Sequence, residues 1–193
     1  FIPSIEVARL MVALQRAGYE VTLHPDLCEA AQNKSDELCN ADCVVGCYTR
    51  AMQALYDSAE KSAPKLVAIR EHTADYVLNE LGVTNRDATE QECEAALQEV
   101  LALPKKVAED AWYPVLEKDK CLNCGKCHDF CLFGVYDIKD GKVRVVAPEN
   151  CKNNCPACAR ICPAGAIIFP KYDKAPINGG EQMEEGTIKI DME

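Results

Sequence analysis

Apolar residues open the chain at helical spacing: in PSIEVARLMVALQRAG, Val7, Leu10, Met11 and Leu14 share a face, and Gly18 stands where a helix would stop. YEVTLH alternates and predicts a strand over 19–24. DLCEAAQNKSDEL reads as a short helix or loop, and DCVVGCY, apolar and β-branched, as a strand. TRAMQALYDSAEKS predicts a helix and KLVAI a further buried strand. TADYVLNELG then predicts a helix ending on Gly82, and TEQECEAALQEVLAL a last helix ahead of Pro104. Helices alternating with short apolar strands imply parallel β-α-β units covered on both faces, an α/β, Rossmann-like arrangement over 1–103. Because the chain opens inside a helix, a further strand just upstream of Phe1 is expected.

The pattern breaks at LPKKVAEDAWYPV, residues 103–115, which holds the only tryptophan and two prolines and reads as a domain boundary. A second, smaller domain is expected over 112–172. The polar, acidic stretch INGGEQMEEGTIKIDME makes 173–193 an extended tail with a short edge strand at TIKI.

Charge is unevenly placed. The net charge is −10, with 10 positive and 19 negative groups in residues 1–111, 8 and 6 in 112–170, and 3 and 6 in 171–193. Solvated helix faces account for the acidity of the first part, and the balance argues against nucleic acid or an anionic membrane surface as partner. No run approaches the roughly 18 apolar residues a membrane span needs, and no charged apolar leader is apparent. Thirteen cysteines, an odd number in a chain of 193 residues, do not suit a simple disulfide framework. A soluble, cytoplasmic protein whose cysteines hold metal is expected, with no membrane insertion.

The chemistry is concentrated in two short runs. CLNCGKCHDFC sets Cys121, Cys124, Cys127 and Cys131 in a C-x2-C-x2-C-x3-C pattern, and CKNNCPACARICP sets Cys151, Cys155, Cys158 and Cys162, followed by Pro163. A C-x2-C-x2-C loop curls round three corners of a cubane while the fourth cysteine points to a second cluster. Cys121, Cys124, Cys127 and Cys162 are therefore expected to hold one [4Fe–4S] cluster, and Cys151, Cys155, Cys158 and Cys131 the other. CLFGVYDI and CPAGAIIF repeat a turn-plus-strand segment, as an internal duplication would leave. Zinc in the same eight cysteines and a [3Fe–4S] form of one cluster are the alternatives; zinc sites more often use paired C-x2-C units across a longer loop.

On these motifs, residues 113–170 resemble the bacterial-type two-cluster ferredoxins. The resemblance implies an α+β, β-α-β-β-α-β wrap around two cubanes and the role of a low-potential one-electron carrier. Two departures stand out: the second run opens C-x3-C, and Leu132 replaces the proline that would follow Cys131. The extra residue would alter the amide hydrogen bonds to the sulfurs and so that cluster's potential. His128 lies in the first loop, as a second-sphere donor or simply facing solvent. Tyr136 and Phe169 occupy equivalent places in the two repeats and are expected to pack over the clusters.

The N-terminal cysteines are less regular. DELCNADCVVGCYTR places Cys39, Cys43 and Cys47 at intervals of four. If CVVGC is a strand, Cys43 and Cys47 lie roughly 13 Å apart, too far to share one cubane. Cys28 follows the strand expected at 19–24, so it belongs with Cys47 at the carboxyl edge, where ligands of open α/β sheets collect. Cys39 and Cys43 are left as structural thiols, and Cys93, in QECEAAL, as a helix-face packing residue.

Over about residues 5–60, EVARLMVALQRAGYEVTLHPDLCEA followed by ADCVVGCYTRAMQALY resembles the N-terminal domain of the flavoprotein subunit of heterodisulfide reductases. That family binds a further iron–sulfur cluster, and the resemblance implies Cys28 and Cys47 as ligands, with Arg50 matching the arginine of its Cys-x-x-Arg. The family's other cysteines would precede Phe1, and its flavin fingerprint is missing. Three readings stand for Cys28 and Cys47: ligands of a third cluster, a redox-active thiol pair, or buried structural cysteines.

Together these features predict an iron–sulfur protein relaying single electrons to or from an oxidoreductase partner, with the first half as docking module. No flavin or nucleotide is expected, and no side chain is assigned a catalytic role. The competing reading is a component of a thiol/disulfide oxidoreductase working through Cys28 and Cys47; an iron–sulfur sensor or scaffold is a third. The sequence does not specify an oligomeric state.

Overall fold

The computed structural model describes residues 2–84, 88–104 and 111–181. The strand expected at TIKI lies outside the described residues, as do most of the acidic tail and the middle of the 103–115 stretch. In chain order the elements are α1 (Ser4–Arg16), α2 (Leu27–Gln32), β1 (Cys43–Gly46), α3 (Thr49–Ser58), β2 (Lys65–Ala68), α4 (Ala74–Glu80) and α5 (Glu90–Ala102). Then follow β3 (Val115–Leu116), α6 (Lys126–Phe130), β4 (Tyr136–Lys139), β5 (Lys142–Val145), α7 (Ala157–Ile161) and β6 (Ile167–Ile168).

In the first part the helices and two of the three expected strands stand where the spacing predicts. Asp26 and Thr73 cap α2 and α4, and Thr89 with Glu92 forms a reciprocal capping box on α5. β1 and β2 pair in parallel, Cys43 opposite Lys65 and Gly46 opposite Ala68, with α3 as the crossover. Alternation then sorts the sheet's two faces. Val45 and Val67 pack with Leu10 and Leu14 of α1 and Val77 of α4, while Val44 and Leu66 pack with Ala51 and Leu55 of α3. The exception is YEVTLH. Val21 and Leu23 pack against the cores beneath α1, but residues 19–24 are not a strand and join no sheet among the described residues. Alternation reports only that one side is buried; a strand also needs a neighbouring backbone to hydrogen-bond. Among the described residues this sheet has two strands, a small parallel sheet.

In the second part, β3-α6-β4-β5-α7-β6 forms two antiparallel pairs: β3 with β6, and the hairpin β4–β5 turning on Asp140 and Gly141, both left-handed. The β3–β6 pair is a shared wall. On one face Val115 and Ile168, with Tyr113 beside them, complete the core of α2 and α3. On the other, Leu116, Ile167 and Phe169 pack with the cysteines. Polar ties cross the same boundary. Arg50 of α3 donates through Nε to Glu117 at 2.8 Å and through its terminal nitrogens to the carbonyls of Gly165 and Pro176. Arg70 donates to the carbonyls of Pro170 and Tyr172, and Lys171 to Asp26 at 2.6 Å.

Candidate metal centre

Cys121 and Cys124 lie on the loop that enters α6, and Cys127 lies within that helix. The loop turns through two left-handed residues, Asn123 (φ 52°) and Gly125 (φ 76°). Asn123 is tied in twice: its amide N–H points at the Cys121 sulfur at 3.4 Å, and its Oδ1 accepts from the amide of Val143 on the hairpin. Cys162, at the end of α7, closes the site from the second motif. Cys121, Cys124, Cys127 and Cys162 line one pocket with Leu116, Val143 and Ile167. The amide of Ala166 points at the Cys162 sulfur at 3.4 Å.

Cys151, Cys155 and Cys158 repeat the arrangement around α7. The inserted residue is accommodated before the helix: Cys155 N–H closes a turn onto the Lys152 carbonyl, and Asn154 takes the left-handed conformation (φ 57°) that Asn123 takes in the first loop. Pro156 (φ −91°) stands where Gly125 stands in the first loop. Thus one left-handed residue replaces two. The Tyr136 hydroxyl donates to the Cys158 sulfur at 3.1 Å.

The electrostatics follow the same grouping. Burial, reinforced by Cys158, Cys131 and Cys155, pushes the Cys151 thiol up to about 12. Burial likewise pushes Cys158 up to about 11, against the opposing Tyr136 hydroxyl. Cys127 goes to about 11 chiefly by burial, with Cys121 and Cys162 as its thiol neighbours. Four thiolates gathered in apolar surroundings repel one another and lose hydration, so only a cationic core makes them stable together. The donor set and the N–H and O–H groups aimed at sulfur fit a cubane.

The N-terminal cysteines separate. Cys28, on α2, and Cys47, just past β1, share the core completed by Tyr113 and Val115, and Cys151 packs against that same core. Cys43 packs on the opposite face of the sheet, and Cys39 is exposed at the end of a short 3-10 turn, so it is not a packed thiol. Burial drives the Cys28 thiol well above its ordinary value, with Cys47 and Asp26 adding to it and Lys171 and Arg70 opposing. The Tyr113 hydroxyl donates to the Cys28 carbonyl at 2.6 Å. His128 faces solvent and pairs with Asp129. Tyr136 and Phe169 are buried in the core that holds the cysteines.

Two residues gain roles that spacing did not assign. Trp112, met in the sequence only as a boundary marker, is 5% exposed and stacks on Phe169. Arg50 clamps the turn after Cys162. The sequence marked it only as the arginine of the Cys-x-x-Arg in CYTR.

A two-repeat cysteine centre with Cys127 and Cys158 buried, carried on a β-α-β-β-α-β frame, defines a protein of the iron–sulfur class. The family model for a 4Fe-4S dicluster domain matches residues 113–185. An uncharacterised ferredoxin of Methanocaldococcus jannaschii is 48% identical over 67 residues, 34% of this chain and 46% of the relative. Ferredoxin-3 of a Nostoc species is 42% identical over 66 residues (25% and 67%), and the pyruvate synthase subunit PorD of Methanothermobacter marburgensis 41% over 54 (28% and 60%). The chain belongs to the ferredoxin family of [4Fe–4S] electron-transfer proteins. It spans about half the length of the first relative named. Among the described residues no helix is long and apolar enough to cross a membrane.

Proposed function

We propose that the chain relays single electrons through two [4Fe–4S] clusters, one held by Cys121, Cys124, Cys127 and Cys162 and the other by Cys131, Cys151, Cys155 and Cys158. The observation that carries this reading is Cys162 lining the pocket of the first motif's three cysteines. Bound clusters supply reversible one-electron chemistry; the chain holds them, excludes water and aims hydrogen bonds at sulfur. The division of labour is residues 1–103 as docking module, 112–172 as cluster carrier and 173–193 as acidic tail.

The partner is an oxidoreductase, a reading supported by the similarity to a pyruvate synthase subunit. Leu122, Phe130, Leu132 and Phe133, exposed on and beside the cysteine loops, supply the apolar contact that brings a partner's redox centre within transfer range. The thiolate ligands need a reducing compartment, which the cytoplasm provides.

Iron and acid-labile sulfide per chain, measured on anaerobically purified protein, test the assignment. About eight of each supports two clusters, and about twelve adds a third to which Cys28 and Cys47 contribute. Zinc in place of iron, with no visible iron–sulfur absorbance, would overturn it. A Cys28→Ser, Cys47→Ser double variant separates the remaining readings. Lost iron marks the pair as ligands, intact iron with lost disulfide reduction marks a redox thiol pair, and neither change leaves them structural.

A further inference from the structure

Trp112 is the chain's only tryptophan, and its indole Nε1–H, though buried, has no hydrogen-bond acceptor among the described residues. Buried donors are nearly always paired, so this one points to an acceptor that the described residues, cysteine sulfurs included, do not supply. Its neighbours say where that acceptor lies. The ring stacks on Phe169 at 5.2 Å and meets Tyr172 edge-on at 6.4 Å. The Tyr172 hydroxyl accepts from Arg160 of α7, the helix that carries Cys158. Ala111, directly before Trp112, packs against the same core as Cys151. Trp112 itself belongs to the core that contains Cys127 and Cys158 and against which Cys121, Cys131, Cys151 and Cys162 pack, so it lies among the ligands of both quartets. Leu116, further along the same face, lines the pocket of the other quartet.

We infer that the Trp112 indole N–H donates to a bridging sulfide of the cluster held by Cys131, Cys151, Cys155 and Cys158, and so sets that cluster's potential. Trp112 is a positioning and tuning residue, and the inference rests on the two-cluster reading above. An N–H donor withdraws electron density from sulfur and favours the more negative, reduced state. It therefore raises the potential of the cluster it touches and leaves the other unchanged.

The test compares anaerobically purified wild type, Trp112→Phe and Tyr136→Phe. Iron and sulfide are counted first; wild type without iron–sulfur content refutes the two-cluster reading itself. With clusters present, potentiometric titration followed by electron paramagnetic resonance reads both midpoints. The Tyr136→Phe variant, which removes the hydroxyl on Cys158, identifies the second cluster's signal. Trp112→Phe is expected to shift that midpoint to more negative potential with unchanged iron content and an unmoved first cluster. Unchanged midpoints, or a shift confined to the first cluster, overturn the inference. Should Trp112→Phe not fold, wild type labelled with 15N-tryptophan decides. Its single indole resonance is expected to be paramagnetically shifted and protected from solvent exchange, and an ordinary, exchanging resonance overturns the inference.

Discussion

Ile167 and Ile168 are adjacent, chemically identical and buried on opposite faces of one strand, so truncating each probes a different side of the β3–β6 wall. Ile168, wholly buried, packs with Leu55, Tyr113 and Val115; Ile167, 3% exposed, packs with the cysteines. Replacing either with alanine removes three carbon atoms, about 2.4 kcal/mol of transfer free energy at roughly 0.8 kcal/mol per carbon. A residual cavity raises the cost to about 3 kcal/mol, since close-packed walls relax only in part. For a chain of this size that corresponds to a fall of roughly 6–12 °C in melting temperature. The assay is anaerobic thermal unfolding followed by far-ultraviolet circular dichroism and by the visible iron–sulfur absorbance. Because the wall serves both cores, both probes should fall together in both variants. If Ile168→Ala moved the dichroism but left the absorbance transition in place, the two parts would unfold separately and the shared-wall argument would fail.

Arg50→Ala removes a partly buried charged clamp from Glu117 and two carbonyls, and should cost about 2–3 kcal/mol by anaerobic denaturant unfolding. Arg50→Lys should recover less than half of that, because an ammonium cannot fork as a guanidinium does; full recovery would show that charge alone matters. In native protein at pH 8, iodoacetamide should label exposed Cys39 and spare Cys28, which burial keeps protonated and covered; peptide mass spectrometry showing Cys28 alkylated first would contradict the packing. Gly179 has φ 92°, and an added Cβ would come within 2.6 Å of the Ala51 Cβ on α3, so Gly179→Ala should destabilise by about 1–3 kcal/mol; an unchanged denaturation midpoint would mean that residues 173–181 are not held against α3.

How much of this the residues announced depends on what kind of signal each feature leaves. Most helices were readable because caps and stops are local: Thr89 with Glu92, and Gly18 and Gly82 at left-handed φ. The parallel pair β1–β2 was readable because β-branched runs flank a helix of crossover length. The strand expected at 19–24 was not, since its inward Val21 and Leu23 satisfy the burial pattern without any pairing backbone. The cysteine quartets were announced by spacing that only a multi-corner ligand demands. Trp112 and Tyr113 were hidden by their setting. They lie beside a lysine-rich, proline-flanked stretch that resembles a linker, and only the register of β3 against β6 shows that they line opposite sides of a wall. Arg50's partners lie 67 to 126 positions away, beyond any local pattern.

The wall also imposes a direction on the chemistry. With the first half packed against one face of β3–β6, water is kept from the cluster side of Leu116, Ile167 and Phe169, and a partner cannot approach from there. The opposite side is open: Cys124 is exposed, Leu122 is 68% exposed and Leu132, where a proline would limit the loop after Cys131, is 91% exposed. On the relay reading proposed above, a partner would therefore meet the loops. Of the second quartet, Cys151 is the member that packs against both cores, the one on the far side holding Cys28 and Cys47. If that pair is redox-active, the second cluster is its donor, and any change that lowers the potential of the second cluster alone should speed the inward step while leaving reduction of the first cluster untouched. Trp112→Phe is such a change, so the indole that tunes the cluster would also set how readily charge crosses the wall.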